Sequence, residues 1–234
     1  MTLPAARDLP SSGTTLNHLD SSSIFDLSLG EFLQRLGSSD PTPGGGTAAA
    51  VVGALGAALI EMTANLTIGK PRLADVEERA THIEHRAADL RERLERLADA
   101  DAVAFERVSA AYKLPRANDV QKTARTEAIQ AALHLAADVP LETAHTSAEV
   151  IELADEAAPI LNAAVISDVL VGALFAQAAV SSAALNVEIN LDSMTDASAI
   201  ERYSADLGRA REGLEQRVER VLAAGRSRFP RRQV

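Results

Sequence analysis

Two aspartates stand two residues apart in the stretch ADADAVAF, Ala98 to Phe105, and a carboxyl held away from water is a general acid/base in waiting. Helical register separates them. Apolar residues recur at Val76, Ala80, Ile83, Ala87, Leu90, Leu94 and Leu97, then at Ala104, Val108 and Ala111, stepping by four and three. The step missing from this series falls on Asp101, whose carboxylate therefore projects into the seam where the helix packs. Asp99 is turned about 200° away, at about 100° per residue, which places it on the solvent side. An ionised acid in such a seam costs several kcal/mol unless it is paired or its pKa rises. Asp101 is thus either a proton-transfer group or the partner of a buried arginine or backbone N–H.

Further candidates are scattered along the chain. Asp168 lies in a segment apolar nearly all round, so burial is expected wherever it points. Asn186 lies on the same helical face, with Asn190 slightly off that line, but about 1.5 Å of rise per residue puts Asp168 and Asn186 about 27 Å apart. The two serve different sites, or a symmetric partner brings the far end back; the asparagines are equally suited to bonding local backbone. PTPGGGT, ending at Thr47, could form a nest of backbone N–H groups for an anion, though close helix packing explains its glycines as well. Glu78, His82 and His85 share one face at metal-ligand spacing, but within the charged run EERATHIEHRAADLRERLER they read as a solvated surface, and no metal site is expected.

The elements that must position these groups are helices. Ser28 with Glu31 forms a capping box, with Leu27 and Phe32 as its hydrophobic staple, so a short helix starts there. SSDPTPGGG breaks the chain, and no breaker follows Thr47 until IGKPR. Further helices are expected over residues 73–112, 118–137, 141–154, 159–191 and 197–223. No alternating strand pattern of useful length occurs, so the fold class is all-α. Residues 1–23 read as a flexible leader and residues 24–234 as one helical domain.

Composition narrows the function classes. The chain of 234 residues carries 23 Lys and Arg against 33 Asp and Glu, a net charge of -10 that opposes nucleic acid and anionic membranes. Aromatic residues total 3% without tryptophan, which disfavours a base-stacking platform. The absence of cysteine removes thiolate chemistry and points to a reducing compartment; with no secretion signal at the N-terminus, the cytoplasm is the expected location. Two apolar segments approach the length of a membrane span, but their Ala and Gly richness suits close packing of helices in a soluble core. Their apolar surface exceeds what one chain of this length covers, which favours a dimer.

Four strings, FLQRLGSSDPTPGGGTAAAVVGALGAALIEMTANLTIGK, DADAVAFERVSAAYKLP, RTEAIQAALHLAADVPLETA and SDVLVGALFAQAAVSSAALNVEINL, together resemble the cyclodeaminase/methenyltetrahydrofolate cyclohydrolase family, the helical C-terminal domain of formiminotransferase-cyclodeaminase and its stand-alone bacterial relatives. The resemblance covers about residues 28 to 195 in order. It implies an elongated antiparallel bundle of long helices, a homodimer, and a tetrahydrofolate one-carbon adduct as substrate with no permanently bound cofactor. Transfer of a formimino group from formiminoglutamate is not expected. Asp101 matches the family's catalytic acid/base, in agreement with the register. Gly44, Gly45, Gly46, Asn65 and Lys70 match blocks lining its folate pocket, and Asp168 and Asn186 match other polar positions. Asp168 is assigned to orienting the pterin or supporting Asp101, and Lys70 or Arg125 to pairing glutamate carboxylates. Two departures stand out: Leu161 where family members carry Gly, which bears on the pocket floor, and Pro71-Arg72-Leu73 where basic and aromatic residues are common, which bears on the glutamate tail.

Three functions follow from these readings. The first is an enzyme closing or opening the ring at the N5/N10 carbon of tetrahydrofolate, by cyclohydrolase or cyclodeaminase chemistry, which demand the same acid at the same carbon. The second is a relative recruited to different cyclisation or deamination chemistry. The third is a helical dimer that binds a ligand without turnover.

Overall fold

The structure, a computed structural model, describes residues 23–229. The expected leader thus lies outside the described residues except for Ser23, which caps a short 3-10 turn, Ile24–Asp26. Seven α-helices follow among the described residues, with no strand: α1 (Leu29–Leu36), α2 (Gly45–Asn65), α3 (Glu77–Tyr112), α4 (Asp119–Ala157), α5 (Ile166–Leu191), α6 (Ala197–Arg211) and α7 (Leu214–Ser227). The all-α expectation holds, and α1 opens with the capping box of Ser28 and Glu31.

The bundle is built from α2 to α5. α2 packs on α3 and α5, and α4 closes the circuit against α3 and α5, with α6 and α7 covering α4 and α5. At 36 and 39 residues, α3 and α4 set its long axis, about 55 Å at 1.5 Å per residue. α2 buries small residues, Ala49, Ala50, Gly53, Ala54, Gly56, Ala57 and Ala64, and so approaches its neighbours closely. The tightest point is its antiparallel crossing with α5, where a Cβ on Gly56 or Gly172 would stand 2.7 Å from the other glycine's carbonyl oxygen. α3 buries Ala80, Ile83, Ala87, Leu90, Leu94, Ala104 and Ala111, the seam read from its periodicity.

Three boundaries differ from the sequence reading. Residues 118–137 and 141–154 belong to one helix, α4, which continues through Pro140. The expected helix over 159–191 begins only at Ile166, because Asn162 turns its side chain onto Ala164 N–H and starts a 3-10 turn, Ala163–Val165. The expected helix over 197–223 is split at Gly213, whose φ of 63° lies in the left-handed region.

One long face of the bundle stays apolar and open. Leu55 and Met62 of α2 and Val171, Leu174, Phe175 and Leu185 of α5 are exposed. α2 and the stretch Ala163–Leu191 are each long and apolar enough to cross a membrane by length and composition. Their other faces pack on α3 and α4 within the bundle.

Candidate active site

Asp101 sits in the C-terminal third of α3 and points at the first turn of α2. Gly44, the N-cap of α2, has no side chain to satisfy the free N–H groups of that turn. The Asp101 carboxylate fills this role from a different helix. Its Oδ2 accepts a 2.8 Å hydrogen bond from the hydroxyl of Thr47, a residue with no exposed surface. A Cβ at Gly46 would overlap the carboxylate, so only glycine admits the acid at this position.

Burial pushes the Asp101 carboxyl above its ordinary value of 3.8, while the Thr47 hydroxyl and backbone N–H pull the other way. No arginine or lysine is paired with it among the described residues; the lone acid is held by a hydroxyl and a helix N-terminus, and remains open to proton exchange with a ligand.

The carboxylate forms part of the wall of a cavity of about 350 Å³. Its polar side is made by Gly44, Gly45, Gly46, Asp101, Asn186 and Asn190, and its apolar side by Phe105, Val108, Tyr112, Leu133 and Ile189. Asn186 lies across from Gly45 and donates to Ser182 O at 2.9 Å, so it bonds local backbone and lines the cavity at once. The Arg125 guanidinium donates to Tyr112 O through Nε and Nη2, at 3.2 and 3.0 Å, and stacks 5.5 Å from the Tyr112 ring centre. A cation thereby stands beside an aromatic residue of the cavity wall.

A family model described as formiminotransferase-cyclodeaminase matches residues 28–209, most of the chain. The chain belongs to this family. A methenyltetrahydrofolate cyclohydrolase of Methylorubrum extorquens is 44% identical over 176 residues, covering 75% of this chain and 85% of that protein. The formimidoyltransferase-cyclodeaminase of Rattus norvegicus is 36% identical over 174 residues, covering 74% of this chain but 32% of that longer protein. The crystal structure of a formiminotetrahydrofolate cyclodeaminase from Thermotoga maritima superposes with a TM-score of 0.79 at 31% identity, covering 88% of this chain and 98% of that one.

The residues picked out by the family resemblance divide into two groups. Gly44, Gly45, Gly46, Asp101 and Asn186 meet at one cavity, with Arg125 beside it. Asn65, Lys70 and Asp168 do not line that cavity. Asn65 ends α2, the exposed Lys70 caps the 3-10 turn Pro71–Val76, and Asp168 lies in the first turn of α5, all at the opposite end of the antiparallel α2/α5 pair. Asp168 is half-buried rather than buried, in a first helical turn whose free N–H groups favour an acid. Leu161 has no exposed surface and packs in the core at this far end, away from the floor of the Asp101 cavity. Pro71-Arg72-Leu73 opens the 3-10 turn between α2 and α3.

Asp99 departs from its expected solvent-facing position. It is half-buried, and its Oδ1 accepts the Ile24 N–H at 2.9 Å, which ties the chain ahead of α1 onto α3. Among the described residues no cluster of three or more His, Asp or Glu side chains could hold a metal ion; His82 and Glu78 line a shallow cavity with Arg79 and Glu156, and the His85 side chain is 74% exposed. Thr47, Phe105, Tyr112 and Asn190 are site residues that the sequence reading did not select. Thr47 closes the PTPGGGT motif, and Asn190 follows Asn186 by one helical turn, so both had a signal in the pattern.

Proposed function

We propose that the chain is a folate one-carbon enzyme that acts on the carbon bridging N5 and N10 of tetrahydrofolate, with hydrolysis of the 5,10-methenyl adduct to 10-formyltetrahydrofolate as its main reaction. The carrying observation is the unpaired Asp101 carboxyl, raised in pKa, on the wall of a cavity with one polar and one apolar side. The 44% identity to a cyclohydrolase, over 85% of that protein, supports the choice of reaction.

In this reaction Asp101, as carboxylate, takes a proton from water as its oxygen bonds to the methenyl carbon. The protonated acid then returns that proton to N5 as the C–N5 bond breaks, leaving the formyl group on N10, and the second proton of the water is released. The substrate carries a positive charge beside the same carbon, which an adjacent carboxylate stabilises. A positioned acid/base of this kind contributes roughly 10²–10⁴ in rate. The apolar wall of Phe105, Val108 and Tyr112 suits the aryl ring that bears N10, and Arg125 stands where the glutamate carboxylates would extend past Tyr112.

Cyclodeamination of 5-formiminotetrahydrofolate is the second reading, supported by the likeness to the Thermotoga maritima cyclodeaminase. There N10 attacks the carbon of the protonated formimino group, an amidinium, on N5. Asp101 removes the N10 proton and delivers it to the departing nitrogen, so that ammonia leaves as the C–N bond breaks and the positive charge stays on the methenyl cation.

The active unit is a homodimer in the cytoplasm. The open α2/α5 face supports the dimer: Gly45 and Asn186 belong both to the Asp101 cavity and to a groove on this face with Ala48, Val52, Ala178 and Leu185. A second copy laid antiparallel over the face carries its own Asn65, Lys70 and Asp168 toward the first copy's Asp101 cavity, where Asp168 orients the pterin and Lys70 shares the glutamate tail with Arg125. The cysteine-free composition supports a reducing compartment.

The test is a side-by-side assay of purified protein with the methenyl and formimino substrates, read by the near-ultraviolet absorbance of methenyltetrahydrofolate. Decay of the first substrate above the uncatalysed rate is expected. Turnover of neither, with thermal stabilisation by tetrahydrofolate retained, would instead identify a binding protein.

A further inference from the structure

Pro140 sits inside α4 and the helix runs on through it. A proline has no N–H, so the carbonyl four residues earlier, that of Ala136, loses its helical partner. Asn190 supplies one from α5: its Nδ2 donates to Ala136 O at 2.8 Å and to Asn186 O at 2.7 Å. Two carbonyl oxygens can be met only by the NH2 end of a carboxamide, so chemistry fixes which way this amide points, and both its hydrogens are committed. Its oxygen, Oδ1, accepts no hydrogen bond from the described residues. Ala136 and Asn190 both line the cavity that contains Asp101. The interruption of one helix therefore holds an acceptor on another in a single orientation at the site.

We infer that Asn190 is a specificity residue of this site, its Oδ1 accepting a hydrogen bond from the 2-amino group of the reduced pterin, and that Pro140 is the positioning residue that locks that acceptor. This rests on the folate reading above. The reacting carbon must lie at Asp101 and the aryl ring suits the apolar wall, which leaves the donor-rich pterin for the polar wall where Asn186 and Asn190 stand. A site built to accept a hydrogen bond discriminates against an analogue lacking the donor, because the acceptor is then left unpaired. A fixed amide discriminates better than one free to rotate, which would offer its NH2 end instead.

Steady-state kinetics of the full chain with 5,10-methenyltetrahydrofolate and its 2-desamino-2-methyl analogue test this. Wild type is expected to prefer the natural substrate. Asn190→Ala is expected to raise KM for it by about three- to tenfold, the loss of one neutral hydrogen bond, while the KM for the analogue stays unchanged, so the preference collapses. Pro140→Ala restores an N–H that competes for Ala136 O, and is expected to shift KM in the same direction by less, with kcat held within about twofold. Because Pro140 lies outside the cavity lining, this second variant carries the test if Asn190→Ala does not fold. A folded Asn190→Ala protein that keeps the wild-type preference overturns the assignment and leaves the folate reading intact. Wild type that turns over neither of these nor the formimino substrate sinks the folate reading, and this inference with it.

Discussion

At the residue scale Asp101 is under two opposed influences, and both are measurable. Burial favours the neutral acid, whereas the Thr47 hydroxyl favours the carboxylate that serves as base. The acidic limb of the pH–rate profile is therefore expected above the ordinary aspartate value of 3.8, with activity lost as pH falls through it. Thr47→Val removes the stabilising donor, so the limb should move to higher pH, while Thr47→Ser should leave it near wild type; a limb that stays put in Thr47→Val would show that the hydroxyl does not tune the acid. The same shift has a stability consequence. A carboxyl raised in the folded state binds its proton more tightly there than in the unfolded chain, so its contribution is most favourable below the unfolded pKa and is lost as pH rises through the folded one. Asp101→Asn should therefore abolish turnover yet raise Tm by a few degrees at neutral pH, an advantage that disappears below about pH 4. Differential scanning calorimetry at two pH values checks both halves.

At the scale of elements, the first turn of α2 is the piece on which the site depends, and its position relative to α3 follows from how closely α2 packs. The Gly56–Gly172 crossing brings two backbones into contact, and a side chain there forces α2 and α5 apart. Gly56→Val is expected to cost about 1–3 kcal/mol or more, the range for overpacking, seen as a lowered denaturant midpoint. It should also lower activity in the fraction that remains folded, since Gly45 and Asn186 face each other along the same pair of helices. The helix interior of α4 carries the opposite lesson. Pro140 reads in sequence as a boundary, but tertiary packing supplies the missing donor through Asn190, and the helix continues.

At the scale of the whole molecule, the two groups of family residues lie at opposite ends of one helix pair, and α2 alone spans about 30 Å. Two chains coexpressed with complementary defects test whether a second copy unites them. Asp101→Asn and the triple variant Asn65→Ala, Lys70→Ala, Asp168→Asn should each be weak or inactive alone. Random pairing should restore about a quarter of wild-type activity, because half the dimers are mixed and one of their two sites is intact. No recovery in a mixture that light scattering shows to be dimeric would mean that the far-end residues serve a separate role.

The sequence by itself determined the all-α class, because hydrophobic periodicity and capping chemistry are local and survive without knowledge of neighbours. It also determined which of two aspartates faces the packing seam, since Asp101 occupies a skipped step in a regular series. Only the tertiary structure decided what that acid meets. Thr47 lies 54 residues away, Asn190 is held by a carbonyl that a proline on another helix set free, and Asp99 is taken up by the Ile24 N–H. These are contacts between segments distant in the chain, set by the approach of helices rather than by any one helix's own pattern. Register along a helix fixes the direction of a side chain; what stands opposite is fixed by packing.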